Sequence, residues 1–221
     1  QGRDMFSRII LGSQISLTVG LVGVILSLAF GTVLGIASGY YGGLVDEVIQ
    51  RLIELVRAFP SIPLWMALSA ALPPGWSQLQ TYFAVTVILS LIGWTWLARQ
   101  LRGQVLALRE SDYVLAAKLA GASDARIIFR HLIPATIGQI IVVATLSLPA
   151  MIIGETALSF LGLGLRPPIT SWGVLLQESQ NLQSLALYPW VLYPAIVIVI
   201  VILAFSFLGD GLRDAADPYT I

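Results

Sequence analysis

Two long stretches without a charged residue constrain the fold of this chain more than any other feature. No Asp, Glu, Lys or Arg occurs in residues 9–45 or in residues 58–98. A helix needs roughly 20 apolar residues to cross about 30 Å of hydrocarbon, so each stretch is long enough to cross a membrane. Composition agrees, because only 11% of the residues are charged, against about 25% in soluble domains. The sequence therefore predicts an all-α fold, a polytopic transmembrane helical bundle.

The composition also argues against several classes of function. The formal net charge is +0, which gives no support to nucleic-acid binding. The chain has no cysteine and a single histidine, so neither a thiolate or histidine metal site nor a Ser-His-Asp triad is expected. It also has no G-x-x-x-x-G-K-[ST] phosphate loop. We expect no catalytic residue, no metal and no cofactor in this chain.

Five membrane spans are predicted within one domain that covers residues 1–221. They cover residues 15–37, 55–72, 79–98, 134–156 and 188–208. The second span is the least regular, because it is short and holds Pro60 and Pro63 near its start. Residue 1 is Gln rather than Met, so we expect that an upstream part of the protein, with a further span, precedes this sequence.

The distribution of Lys and Arg predicts how the spans are oriented. If the spans alternate, most basic residues fall on one side: Arg51, Arg57, Arg99, Arg102, Arg109, Lys118, Arg126, Arg130 and Arg213. The other side holds only Arg3, Arg8 and Arg166. Basic residues concentrate in cytoplasmic loops. The connector 99–133 and the C-terminus are therefore predicted to be cytoplasmic.

Small residues recur every three or four positions along the first span. The stripe consists of Gly12, Ser16, Gly20, Gly23, Ser27, Gly31, Gly35 and Gly39. Such spacing lets another helix approach closely within a membrane. Two interpretations stay open, namely packing within the chain and a dimer face against a second membrane subunit.

The connector 99–133 is too polar for the bilayer and too long for a simple turn. Ser111 is placed to cap a helix that ends near Gly121, and Ser123 is placed to cap a second short helix. Pro134 then opens the next span. This predicts two short helices on the cytoplasmic surface, the first with a small-residue face that can dock into a partner. An amphipathic linker that rests on lipid headgroups is the alternative.

Four segments of the chain are similar to a known family. The pattern Ala116-Ala117-x3-Gly121-x9-His131-x-Ile133-Pro134 resembles the EAA motif of ABC importer permeases. Further stretches resemble the dipeptide/oligopeptide/nickel branch of that family: Gly2-Arg3-Asp4, Gly39-Tyr40-Tyr41-Gly42-Gly43 with Asp46, and Leu208-Gly209-Asp210-Gly211-Leu212-Arg213-Asp214 with Asp217-Pro218. Leu115 stands where the motif has its leading Glu, which puts in doubt any contact made by that carboxylate.

The resemblance implies an ABC transmembrane type-1, MetI-like fold whose first span is missing here. It implies a C-type permease subunit of an ATP-driven importer for di- or oligopeptides or related small solutes, nickel chelates among them. The residues implied to couple with the ATPase are Ala116, Ala117, Gly121, Ala122, Ser123, Asp124, His131 and Pro134.

The resemblance also implies a set of partners in the cytoplasmic (inner) membrane. They are a second homologous permease, two ATPase subunits that bind ATP and Mg, an extracytoplasmic substrate-binding protein and membrane lipid. The outer loop that contains Arg166 and Trp172 is expected either to meet the binding protein or to form a re-entrant cover.

Glu155 and Pro149 in the fourth span are candidates for the translocation path. An ionisable residue inside a span is a functional candidate by default, although Glu155 can equally be a satisfied structural group. Pro149 removes one backbone hydrogen bond and is expected to bend its helix, for packing or for gating. An ion-gradient-driven transporter or channel is the alternative function, and an integral-membrane enzyme is disfavoured because no acid, base or metal cluster occurs.

Overall fold

The computed structural model describes residues 4–216, which form helices and loops without a strand in that range. Gly2 and Arg3 of the first family-like segment, and Asp217-Pro218 of the last, lie outside the described residues. Four helical stretches are long and apolar enough to cross a membrane: Met5–Tyr41, Gln78–Leu108, Asp124–Phe160 and Pro189–Ala215. A bent pair of shorter helices raises the number of candidate spans to 5.

The first long helix, α1 (Met5–Tyr41), is fixed at both ends by local signals. The carboxylate of Asp4 caps its start by accepting hydrogen bonds from the backbone N–H groups of Phe6 and Ser7. A hydrogen bond from the Ser7 hydroxyl, followed by these backbone bonds, lowers the pKa of Asp4. At the other end Gly42 turns the chain with φ 65°, a conformation that only glycine adopts without strain.

The predicted span 55–72 is wrong as a single helix. The structure has α2 (Gly43–Arg57) and α3 (Ser61–Ala70), whose axes meet at 84°. The break falls at Pro60, because proline has no N–H for the helix and disfavours helical geometry in the residue before it. The helix also begins earlier than expected, directly after the turn at Gly42.

The predicted spans 15–37, 79–98 and 134–156 lie inside helices that extend beyond them, whereas the span predicted at 188–208 begins with a 3-10 turn, Pro189–Leu192, and becomes α-helical only at Tyr193. Helix α4 (Gln78–Leu108) begins with a capping box between Ser77 and Gln80 and continues past residue 98 into the predicted connector. The second connector helix is not a separate surface helix, which corrects the expectation. Helix α6 (Asp124–Ile127) runs through a π-helical turn, Ile128–Leu132, into α7 (Ile133–Phe160). Helix α10 (Tyr193–Ala216) is the last.

The small-residue stripe of α1 is buried within this chain. A Cβ atom on Gly35 would lie 2.7 Å from the carbonyl oxygen of Ala98 in α4, and one on Gly39 would lie 2.9 Å from that of Arg102. Toward the other end, Gly20 packs against Ile152 of α7. The dimer-face interpretation is therefore wrong for Gly20, Gly23, Ser27, Gly31 and Gly35, because α4 and α7 already cover them.

Pro149 lies buried inside α7, and the helix continues through it without a break. Beyond α7 a short helix, α8 (Trp172–Gln177), packs against α7 and α1. Its first residue, Trp172, is almost fully buried and donates from its indole nitrogen to the carbonyl oxygen of Ile9 at 3.1 Å. The segment that contains Trp172 thus packs over one end of the bundle. Helix α9 (Leu182–Leu187) precedes α10.

Candidate functional site: the coupling connector

Helix α5 (Asp112–Leu119) occupies the connector, where the family motif places its coupling residues. It starts at Ser111, whose hydroxyl bonds to the Leu108 carbonyl and makes no cap bond to α5. It ends in a Schellman motif, because the N–H of Gly121 donates to the Lys118 carbonyl and that of Ala122 to the Ala117 carbonyl. Gly121 has φ 78°, which explains why glycine stands there.

The inner side of α5 is held by an apolar cluster drawn from four helices and the π turn. Val114 of α5 and Ile127 of α6 are fully buried against Ile36 of α1, Val105 of α4 and Leu132 of the π turn. Each fully buried aliphatic side chain of this size contributes about 1.5–3 kcal/mol by leaving water. Ile133 of α7 packs against the same cluster, so the connector is held against the three long helices α1, α4 and α7.

Polar contacts fasten the same connector to the end of α1. The Tyr40 hydroxyl donates to Asp124 at 2.7 Å, and the ammonium of Lys118 lies 5.5 Å from the centre of the Tyr40 ring. The guanidinium of Arg109 donates to the carbonyl oxygens of Gly39 and Tyr40 at 3.2 and 3.4 Å. These carbonyls have no partner within α1, so Arg109 satisfies the helix end and complements its dipole.

The outer side of α5 has no cover in the structure. Leu119 is 91% exposed, although leucine normally contributes by burial. Leu115, in place of the motif Glu, is also exposed, as are Ala116, Ala120 and Gly121. Short side chains next to these leucines leave nothing that prevents close approach. The connector thus combines a fixed inner side with an exposed apolar outer side.

The residues that the resemblance marks for coupling divide between these two sides. Ala116, Gly121, Ser123, Asp124 and Pro134 are exposed, whereas Ala117, Ala122 and His131 are half-buried. Ser123 caps α6, as expected from the sequence, by accepting from the N–H of Arg126. The His131 ring lies 6.1 Å from that of Tyr113, so it joins α5 to the π turn. Their contact with an ATPase stays a prediction.

A second polar joint, missed from the sequence, lies where α2 begins. Arg102 of α4 donates two hydrogen bonds, at 2.5 and 2.6 Å, to the two carboxylate oxygens of Asp46. The Ser38 hydroxyl of α1 donates to the same carboxylate and accepts from the Gln50 amide. The sequence marks Asp46 only as part of a family-like segment, because its partner Arg102 is 56 positions away. The joint links α1, α2 and α4 at the base of the connector.

Glu155 lies at the opposite end of the bundle and is enclosed by protein. Its carboxylate accepts hydrogen bonds from the hydroxyls of Ser16 at 3.0 Å and Ser159 at 2.8 Å. Ser16 in turn accepts from the backbone N–H of Trp172 at 3.1 Å. The side chain is fully buried. This geometry fits the structural interpretation of Glu155, since the group connects α1, α7 and α8.

Comparison with known proteins agrees with the fold. Residues 31–220 match the family described as "Binding-protein-dependent transport system inner membrane component". The chain is 40% identical to the oligopeptide transport system permease protein of Bacillus subtilis, and the alignment covers 98% of this chain and 69% of the relative. It is 42% identical to the dipeptide transport system permease protein of Alkalihalophilus pseudofirmus, with coverages of 98% and 69%.

A glutathione transport system permease protein of Pectobacterium atrosepticum is 38% identical over 98% of this chain and 70% of its own length. Among solved structures, the inward-facing MetNI methionine ABC transporter superposes with a TM-score of 0.70 at 16% identity, covering 98% of this chain and 100% of that one. This structural likeness confirms the expected MetI-like fold.

The chain is therefore a helical permease of an ABC transport system. It belongs to the family of binding-protein-dependent transport system inner membrane components.

Proposed function

We propose that this chain is the permease subunit through which an ATP-driven importer passes peptides across the cytoplasmic membrane. The relatives named for oligopeptide, dipeptide and glutathione transport support the substrate class. The excess of basic residues in and around the connector supports a cytoplasmic position for it and for the C-terminus. Two ATPase subunits that bind ATP and Mg, a second permease and an external binding protein complete the proposed assembly.

The proposed mechanism rests on one observation: the inner side of α5 is packed against the bundle, whereas its outer side is exposed. A partner that grips the exposed side at Leu119 must move α1, α4 and α7 with it, because Val114 and Ile127 are packed against these helices. ATP drives transport only if it favours one arrangement of the bundle over another. Because the connector is packed firmly against the spans, a movement of the ATPase subunits on ATP binding would be transmitted to the spans.

Crosslinking in the full complex tests this proposal. The Ala120→Cys variant carries a cysteine on the exposed outer side of α5. This cysteine should crosslink to an ATPase subunit, and the yield of the crosslinked product should change when ATP binds. Leu182→Cys is the matched control, because Leu182 is also exposed but lies in α9 at the other end of the bundle. A crosslink from Leu182→Cys rather than from Ala120→Cys, or peptide uptake that survives ATP depletion, would contradict the proposal.

A further inference from the structure

A cleft of about 480 Å³ runs between α3, α4, α7 and α10. Its walls include the indoles of Trp65 and Trp96, and its polar groups include the amides of Gln100 and Gln139. In the proposed orientation the cleft extends from the middle of the bundle toward the cytoplasmic end. A mostly apolar cleft with a few placed polar groups is the usual form of a small-molecule site.

The two glutamines contact each other across the cleft wall. The amide nitrogen of Gln139 in α7 donates to the amide oxygen of Gln100 in α4 at 2.5 Å. Both side chains are only half-buried, so the pair faces the cleft as well as its neighbours. Polar groups within membrane helices normally face a protein interior or a water-filled path, because lipid offers them no hydrogen bonds.

The single bond between the glutamines leaves both unsatisfied. A side-chain amide has two N–H donors and an oxygen that accepts twice. Within residues 4–216 neither side chain makes another hydrogen bond, so the amide nitrogen of Gln100 and the amide oxygen of Gln139 remain available. If both side-chain amides are rotated so that their oxygen and nitrogen atoms exchange places, the pair still has one free amide nitrogen and one free amide oxygen.

We propose that Gln100 and Gln139 bind the extended backbone of the substrate as it passes through the cleft. In an extended chain the N–H and the C=O of one residue point to the same side. The N–H of the second residue of a dipeptide therefore complements the free amide oxygen of Gln139, and the carboxylate oxygen of that residue complements the free amide nitrogen of Gln100. This inference rests on the proposed function and adds the way in which the substrate is recognised. Because the pair is neutral and addresses the backbone, it is indifferent to the side chains of the peptide.

The test uses the full complex in proteoliposomes with its binding protein and an energy supply of ATP. Uptake of a dipeptide is compared with uptake of the same dipeptide methylated at its peptide nitrogen, which removes the N–H donor. For Gln139→Leu we expect dipeptide uptake to fall roughly 5- to 10-fold, the usual value of one lost hydrogen bond. The ratio between the two substrates should shrink by a similar factor. The binding protein is the same throughout, so a change in this ratio reports on the permease.

Gln104→Leu is the matched control, since Gln104 lies one turn further along α4, is exposed and does not line the cleft. It should leave both uptake and ratio unchanged. Gln139→Met is measured beside Gln139→Leu, and stimulation of ATP hydrolysis by the binding protein verifies assembly of each variant. Unchanged uptake, or reduced uptake with an unchanged ratio, overturns the inference alone. Failure of the unaltered complex to take up peptides overturns the proposed function as well.

Discussion

The two ends of this helical bundle differ in what their polar contacts enclose. At the end that contains Glu155, a buried carboxylate, serine hydroxyls and a backbone N–H satisfy one another inside the chain. At the connector end, the polar contacts of Arg109 and Asp124 fix the inner side of a helix whose outer side, at Leu119, stays exposed. A closed network stabilises the chain by itself, whereas an exposed apolar surface has a use only when another molecule covers it.

This difference separates structural roles from roles in assembly. Changes at the enclosed end should lower the stability of the isolated permease, whereas changes on the outer side of α5 should leave its stability unchanged and impair assembly. We expect the free energy of unfolding to change most at Glu155 and least at Leu119.

Glu155→Leu should produce the largest loss of stability. The substitution leaves the hydroxyls of Ser16 and Ser159 buried without their acceptor. Buried polar groups that lose their hydrogen-bond partners destabilise a protein, and we expect a loss of about 3 kcal/mol here. Glu155→Gln keeps an acceptor oxygen and should lose less than half as much. Thermal unfolding in detergent, followed by tryptophan fluorescence, measures both. A Glu155→Leu variant of normal stability without uptake would instead place Glu155 in the translocation path.

Gly35→Ala tests the stripe that connects the two ends. An added Cβ would lie 2.7 Å from the Ala98 carbonyl oxygen, so α1 and α4 must separate, and we expect a loss of about 2 kcal/mol. Gly103→Ala in α4 is the matched control, because a Cβ there meets no atom within 4 Å. Since alanine restricts the unfolded chain, this control should gain up to about 1 kcal/mol. Equal effects at both positions would contradict close packing along the stripe.

A double-mutant cycle at Asp46 and Arg102 probes the joint behind the connector. The pair is bidentate but partly open to solvent, so we expect a coupling free energy of about 1 kcal/mol. Asp46→Asn and Arg102→Gln remove the charges separately and together. Unfolding in denaturant gives the coupling, and ATP-driven uptake by the same variants shows whether the joint transmits movement. A coupling near zero would reduce the joint to a surface ion pair.

How well the sequence predicts a structural feature depends on how far apart the interacting residues lie along the chain. The end of α5 at Gly121 and the cap of Ser123 followed from neighbouring residues, because helix ends are decided locally. The span positions followed from the uncharged stretches. The small-residue stripe predicted that another helix packs closely against α1, but it did not decide whether that helix belongs to this chain or to a second subunit. The acceptor of Ser16 is 139 positions away, and no local pattern identifies such a partner.

The bend between α2 and α3 lies between these cases. Pro60 and Pro63 marked the segment as irregular, and proline does end α2, but a proline fixes neither the direction nor the 84° size of a bend. Those depend on the packing of α3, whose Trp65 lies against Gly154 of α7. The sequence therefore marks the second span as irregular but predicts one continuous span across the bend.

Leu119→Ser should have the smallest effect on stability and the largest on assembly. Because Leu119 is 91% exposed, the free energy of unfolding of the isolated permease should change by less than about 0.5 kcal/mol. Val114→Ala, on the inner side of the same helix, is fully buried and should cost about 1–2 kcal/mol through lost burial and a small cavity.

Co-purification with the ATPase subunits should show the reverse order, with Leu119→Ser losing them and Val114→Ala retaining them at temperatures below its unfolding. The reason is that Val114 stabilises the connector from within, whereas Leu119 contributes only where another protein covers it. Retention of the ATPase by Leu119→Ser, together with normal uptake, would mean that the exposed side of α5 faces lipid headgroups, and the difference between the two ends of the bundle would lose its functional meaning.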